Sequence, residues 1–272
     1  MSPELDAILG LVRQRTGVDF SRYREATVER RVANRMISVG ARSFGSYLVK
    51  LEADQDEARH LLSRISIKVS RFYRHTPTFE AVRQRVLPLL AARRKPLRIW
   101  SAGCGCGEEP YTLALLLEEA NVPGTVLATD IDPQALEAAQ RGLYTADALA
   151  ELPAALAERA LLELDDGKRP MFAVRDEVRA RVRFMRHDLL FASAPGDGMF
   201  DLVSCRNVLI YLQRDVREEV FGALRRAVRP GGFLCLGEAE WPSTPLDRQL
   251  TALSRQSRVF QVGLEGSNEA GP

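Results

Sequence analysis

The residues best suited to chemistry begin with a glycine-rich turn, Ser101-Ala102-Gly103-Cys104-Gly105-Cys106-Gly107-Glu108-Glu109. Glycines such as Gly103 and Gly105 let a backbone approach a ligand closely and adopt positive φ. Strand–turn–helix units of this kind serve dinucleotides as well as other adenosyl ligands. Here, however, the position that a GxGxxG fingerprint fills with its last glycine is Glu108. Glu108 and Glu109 open the following helix, where a pyrophosphate would otherwise sit. Two carboxylates repel phosphate and suit a ligand that carries positive charge without phosphate. S-adenosylmethionine, with its ammonium and sulfonium, is such a ligand. The competing explanation is that both glutamates merely cap the helix, favoured by its dipole.

Downstream, Asp130 closes the segment Thr125-Val-Leu-Ala-Thr-Asp, 23 positions after Gly107. An acid there can accept hydrogen bonds from both ribose hydroxyls of an adenosine. Asp132, followed by Pro133, reads instead as the start of the next helix. In His187-Asp188-Leu189-Leu190, Asp188 can contact an adenine amino group. The run Cys205-Arg206-Asn207-Val208-Leu209-Ile210-Tyr211 follows an apolar strand. Ligands bind outside the carboxyl ends of parallel strands, which places Arg206, Asn207 and Tyr211 where chemistry would occur. A basic–aromatic run, 68–74, reads either as a domain junction or as a nucleic-acid patch.

The elements that must position these residues change character at Pro96. Before it the pattern is helical. Leu5, Ile8, Leu9 and Val12 recur at helical spacing up to Thr16-Gly17. A second helix is expected over 22–39, with Arg24, Arg31 and Arg35 able to share a side. A third follows Ser43 as N-cap, a fourth covers 57–66, and another follows Thr76-Pro77. After Pro96, strands at 97–101, 125–130, 182–185, 200–205, 232–237 and 258–262 alternate with helices after Gly107, at 133–141 and at 216–228. That alternation predicts a doubly wound, Rossmann-like α/β sheet behind an all-α N-terminal domain.

Composition agrees with this reading. At 46% hydrophobic and 27% charged residues the chain reads as globular rather than disordered or collagenous. No apolar run approaches the roughly 18 residues of a membrane helix. The N-terminus, Met-Ser-Pro-Glu-Leu-Asp, lacks a basic secretory n-region, so a cytoplasmic location is expected. Four cysteines do not make a disulfide framework, and three unclustered histidines give no metal-binding spacing, so no metal site is expected. Net charge is +2, yet residues 1–75 hold fourteen Lys/Arg against nine Asp/Glu, which leaves +5 there and −3 in the remainder. A basic N-terminal face that meets something acidic follows.

Taken together the motifs resemble the chemotaxis receptor glutamate methyltransferases, the CheR family, over about residues 5–262. The resemblance rests on IWSAGCGCGEEPYTLA, ATDIDPQALEAAQRGLY, FDLVSCRNVLIYL and RPGGFLCLGEAE, in that order. RYREATVERRVANRM and SRFYRHTPTFEAV add to it. It implies an S-adenosylmethionine-dependent enzyme that converts receptor glutamates to methyl esters in sensory adaptation, with S-adenosylhomocysteine as product. Carried onto this chain, cofactor contacts fall to Ser70, Arg74, Glu109, Asp130, Asp188, Leu189, Arg206 and Asn207, and Tyr211 stands beside the methyl-transfer centre. The implied domains are an all-helical, receptor-contacting 1–75, a connecting helix 76–95 and a methyltransferase domain 96–263. A small antiparallel subdomain near 162–178, of the kind some members use to tether a receptor tail, and a disordered tail 264–272 complete the expectation.

Three departures stand out. Lys68 and Ser70 occupy positions where the family often has Asn and Thr, Asp188 replaces a frequent Asn, and the usual GHSE reads Gly237-Glu238-Ala239-Glu240. Because a carboxylate is already ionised at neutral pH, Arg74 and Tyr211 are expected to orient the incoming glutamate rather than move a proton. Three other readings stay open. They are a methyltransferase of the same fold acting on RNA or a small molecule, a non-catalytic cofactor-binding module, and a dinucleotide dehydrogenase.

Overall fold

The structure, a computed structural model, describes residues 2–66, 70–164, 170–190, 194–242 and 250–263. Lys68 and the tail 264–272 lie outside the described residues. The chain divides into two compact units, one of residues 1–68 with 211–217, the other of 69–210 with 218–272.

The first unit contains α1 (Pro3–Thr16), α2 (Glu25–Ser38), α3 (Phe44–Ala53) and α4 (Glu57–Ile65). Ser2 caps α1 by accepting the Leu5 N–H at 3.3 Å, with Pro3 in the first turn where its missing N–H costs nothing. Ser43 and Ser46 cap α3 reciprocally. Ile8 and Val12 of the stripe read from the spacing are essentially inaccessible to solvent, and so are Val28, Val32, Leu51, Ala58 and Leu61. Segment 211–217 joins this unit by backbone pairing, with Arg24 N–H donating to the Tyr211 carbonyl and Gln213 N–H to that of Arg22. The division therefore falls at 68/69 rather than after 75, and includes a return of the chain from far downstream that local periodicity does not signal.

The second unit opens with α5 (Thr76–Ala81), a π-helical turn (Val82–Val86) and α6 (Leu87–Ala91). Pro88 has no N–H to give back along the helix, and the ladder widens just before it. There follow β1 (Leu97–Ala102), α7 (Glu108–Glu119), β2 (Gly124–Asp130), α8 (Pro133–Arg141), β3 (Leu143–Thr145), α9 (Ala154–Ala160), β4 (Leu161–Leu164), β5 (Met171–Val174) and α10 (Asp176–Arg179). β6 (Val182–Arg186), β7 (Phe200–Cys205), α11 (Arg214–Ala227, from residue 218 onward), β8 (Val228–Leu236), β9 (Leu250–Ser254) and β10 (Val259–Val262) complete it.

The main sheet runs β6-β2-β1-β7-β8-β10-β9. Its first five strands are parallel, and β10 and β9 are antiparallel additions. β7 is buried along its whole length and β1 everywhere except Arg98, as expected of parallel strands covered on both faces. The chain builds outward from β1 through β2 to β6, then returns to β7 on the other side. The reversal makes the carboxyl ends of β1 and β7 the switch point of the sheet, where open α/β sheets bind their ligands. A separate antiparallel sheet, β3-β5-β4, flanks it. β3 and β9 were not read from the sequence, because strands of three and five residues at sheet edges carry little alternation.

Candidate active site

At the carboxyl end of β1 the chain turns through Gly103, Gly105 and Gly107, all left-handed at φ 77°, 56° and 99°. Two of these positions admit no side chain. A Cβ on Gly103 would run into the Val208 side chain, and one on Gly107 would stand 2.9 Å from the Ala139 Cβ. The turn is hung from β2, with the N–H groups of Gly103 and Cys104 both donating to the Thr129 carbonyl. Asp130 then ties it down, its Oδ2 accepting the Gly105 N–H at 2.8 Å and its Oδ1 the Asp132 N–H at 2.9 Å. Asp132 caps α8 through the Gln134 N–H. The loop after β6 is drawn to the same place, since His187 N–H donates to the Asp130 carbonyl. Asp188 there accepts the Leu190 N–H, and Leu189 is half-buried.

Glu109, in the first turn of α7, bridges β1 and the loop after β7. Its Oε1 accepts the Ser101 hydroxyl at 2.7 Å, and its Oε2 pairs with Arg206 Nη1 at 3.3 Å. Arg206 is buried, donates Nη2 to the Arg74 carbonyl at 2.6 Å, and lies over the Phe79 ring. One guanidinium thus joins the start of α7, the loop after β7 and the segment before α5. Ser70 is half-buried at the head of that segment. Asn207 is left-handed at φ 59°, a region that Asn tolerates better than most side chains. Tyr211 belongs to the helical unit.

Several expectations change. Glu108 is not a rim charge: it is 6% exposed, and its Oε2 has no hydrogen-bond partner. Burial pushes its carboxyl up to about 7, against smaller pulls from its backbone hydrogen bond and from Arg74. The anionic character of the turn therefore rests on Glu109 and Asp130. Gly107 holds the N-cap position of α7, so neither glutamate is the cap residue, and both lie in its first turn, where the helix dipole favours an acid. In the basic–aromatic run, Phe72 and Tyr73 have no exposed surface, so neither ring can stack on a base. Arg35, expected on the receptor-facing stripe, instead makes a two-pronged pair with buried Glu57, because a buried carboxylate requires a cation. The sequence reading gave no role to one buried carboxylate, Glu240, which accepts the N–H groups of Asn207, Val208 and Ile210. Glu240 holds the loop after β7, and nothing in its motif signals that three loop N–H groups lack partners.

The Glu108 shift has a measurable sign. A carboxyl raised by folding adds stability at low pH, and that contribution is lost as pH rises from about 4.5 through about 7. Between about pH 5 and pH 8 the wild type is expected to lose about 2–3 kcal/mol relative to Glu108→Gln. Urea unfolding at the two pH values measures it, and parallel curves would contradict it.

The residues fit an S-adenosylmethionine-type ligand. The space beside Gly105 is open, with nothing within 4 Å of a Cβ placed there. Asp130 lies in contact with that turn, and a carboxylate accepts up to about four hydrogen bonds. Two buried polar atoms around Glu109, Glu108 Oε2 and Arg206 Nε, have no partner in the protein. Glu109, Asp130 and Asp188 supply acids where a phosphate ligand would need cations. All four cysteines are free thiols. Burial holds Cys104 and Cys205 well above the ordinary thiol range and pushes Cys235 up to about 12, so none of the three is a thiolate nucleophile. Among the described residues no cluster of His, Cys, Asp or Glu could hold a metal ion, and no helix is long and apolar enough to cross a membrane.

Comparison with known proteins agrees with this geometry. Residues 68–256 match the family model for the CheR methyltransferase SAM-binding domain, and residues 3–66 that for the CheR methyltransferase all-alpha domain. A chemotaxis protein methyltransferase of Listeria monocytogenes is 33% identical over 249 residues, covering 90% of this chain and 92% of the relative. One from Borreliella burgdorferi is 30% identical over 250 residues, covering 87% of each. A third, from Klebsiella aerogenes, is 32% identical and covers 85% of this chain and 80% of the relative. With both family domains matched in order and an acid-lined turn at the sheet's switch point, the chain belongs to the CheR family of S-adenosylmethionine-dependent methyltransferases.

Proposed function

We propose that this enzyme methylates glutamate side chains on the cytoplasmic helices of chemoreceptors, forming methyl esters. The observation that carries the reading is the likeness, at 30–33% identity over most of the chain, to enzymes named chemotaxis protein methyltransferases. The cofactor, when bound, supplies an electrophilic methyl group on a cationic sulfur. A glutamate carboxylate, with an ordinary pKa near 4.3, attacks without a general base. Such a reaction would ask no side chain of this chain to take or give a proton. What remains for the protein is to hold the acceptor in line and offset its charge while water is excluded.

Ser70, Arg74, Gly103, Gly105, Glu109, Asp130, Asp188, Leu189, Arg206 and Asn207 are proposed to hold the cofactor. Glu109 and Asp130 offset its positive charge, and Arg206 fixes Glu109. Arg74 and Tyr211 are assigned to the incoming carboxylate. The helical unit, through Arg24 and Arg31 rather than Arg35, is the proposed receptor-contacting surface. Its excess of basic residues suits the acidic glutamate-bearing helices that the reaction requires.

Incubation with labelled S-adenosylmethionine and receptor cytoplasmic fragments tests this reading. Label released as methanol by mild base supports it. Alkali-stable label, or label on RNA with steep salt dependence, overturns it. In the same assay Arg74→Ala is expected to lower kcat/KM about 100-fold while S-adenosylhomocysteine affinity changes only a few-fold. Equal losses would make Arg74 a cofactor clamp.

A further inference from the structure

We propose that Glu240 is a positioning residue, whose carboxylate moulds the loop after β7 into the wall of the cofactor crevice. The proposal rests on methyl transfer at this site. β7 ends at Cys205, and beyond it the backbone N–H groups have no strand partner. Glu240 is 4% exposed and supplies what the ladder no longer does. Its Oε1 accepts the N–H groups of Val208 at 2.9 Å and Ile210 at 3.3 Å. Its Oε2 accepts those of Asn207 at 3.0 Å and Gly237 at 2.7 Å. Four backbone donors on one carboxylate offset the cost of burying its charge.

Two further features show what this arrangement controls. Asn207 is held left-handed, a conformation that persists only where surroundings over-determine it, and two of the four bonds fall on Asn207 and its successor. Val208 fills the space that a side chain on Gly103 would occupy, so the loop is seated directly on the glycine turn. The carboxylate therefore sets the spacing between the turn after β1 and the loop that carries Arg206 and Asn207.

The motif enforces the geometry from both ends. Gly237 follows β8, whose Leu236 pairs with Cys205, and Glu240 N–H closes a tight turn on the Gly237 carbonyl at 2.9 Å. A Cβ on Gly237 would stand 2.6 Å from Glu240 Oε2 and 2.7 Å from the Asn207 nitrogen. Glycine at 237 and an acid at 240 are thus one device, and the intervening Glu238 and Ala239 do not enter it.

The test uses the full-length chain with Glu240→Gln, Glu240→Asp and Gly237→Ala. Glutamine keeps one acceptor oxygen and turns an NH₂ toward two N–H donors. Hydrogen exchange at the amides of 207, 208 and 210 is expected to accelerate at least about tenfold in Glu240→Gln, because an opening free energy of about 1.4 kcal/mol is lost. S-adenosylhomocysteine affinity and kcat/KM are expected to fall about 100-fold. Gly237→Ala should reproduce both effects by steric means, and Glu240→Asp should recover part of each. If Glu240→Gln does not fold, Gly237→Ala and Glu240→Asp decide. Unchanged exchange at these amides overturns the proposal, and so does faster exchange with undiminished cofactor affinity. Failure of the wild type to methylate receptors, with exchange and affinity still responding, refutes the receptor reading and leaves the positioning role standing.

Discussion

Replacing Arg206 by alanine is expected to lower methyl transfer on the order of 10³-fold. The guanidinium makes two charge-assisted contacts, one to Glu109 and one to the Arg74 carbonyl, inside a site where it is itself buried. Hydrogen bonds to charged groups contribute about 1.5–3 kcal/mol each. Losing two amounts to roughly 3–6 kcal/mol, or about 10²–10⁴ in rate where the full loss falls on the transition state. Alanine also leaves Glu109, in the first turn of α7, without its cation. Arg206→Lys is not expected to restore activity, because one ammonium cannot reproduce two diverging N–H vectors and the stacking over Phe79. Steady-state kinetics with a melting curve for each variant checks this, and a fully active Arg206→Lys would contradict it.

The second large effect lies in the helical unit. Glu57 is buried, accepts both Nε and Nη2 of Arg35 at 2.8 and 2.5 Å, and takes the Tyr47 hydroxyl at 2.5 Å. Burial alone would raise its carboxyl, but the hydrogen bonds from Arg35 and Tyr47 outweigh that and hold it below its usual value. Glu57→Ala leaves a largely buried guanidinium unpaired, for an expected loss of roughly 3–5 kcal/mol. The double replacement Arg35→Met with Glu57→Leu is expected to be far milder, because desolvation of both charges disappears with them. Since folding lowers this pKa, the wild-type contribution is present above about pH 4.5 and fades as pH falls through the folded value. Hydrogen exchange across α2 and α4 reads the loss directly, and a single-mutant cost below about 1 kcal/mol would refute it.

Much of the scaffold is legible in the sequence because local chemistry decides it. Ser43 caps α3, Pro133 opens α8 behind Asp132, and the apolar run of β7 coincides with a strand buried throughout. The glycine turn was visible for the same reason, since no other residue type fits beside Val208 and Ala139. What escaped was set by distant partners. Whether Glu108 lies at a rim or in a protein interior depends on how α7 packs against neighbours such as Tyr144, remote in the chain. Arg35 falls on the same side as Arg24 and Arg31 by spacing, and only Glu57, twenty-two residues on, distinguishes it. Glu240 keeps the last letter of a motif that departs at Glu238 and Ala239, yet its meaning lies in loop amides thirty residues earlier. The return of 211–217 to the helical unit is likewise a long-range pairing without periodicity.

The central claim is that the acid-lined turn after β1 receives a cation-bearing adenosyl methyl donor and refuses a phosphate-bearing one. Titration calorimetry of the full chain, with S-adenosylhomocysteine, S-adenosylmethionine and a nicotinamide dinucleotide in separate runs, addresses it most directly. Saturable heat from both adenosyl ligands, none from the dinucleotide, and loss of the signal in Asp130→Ala is the expected result. Tight uptake of the dinucleotide with no heat from S-adenosylhomocysteine would contradict it.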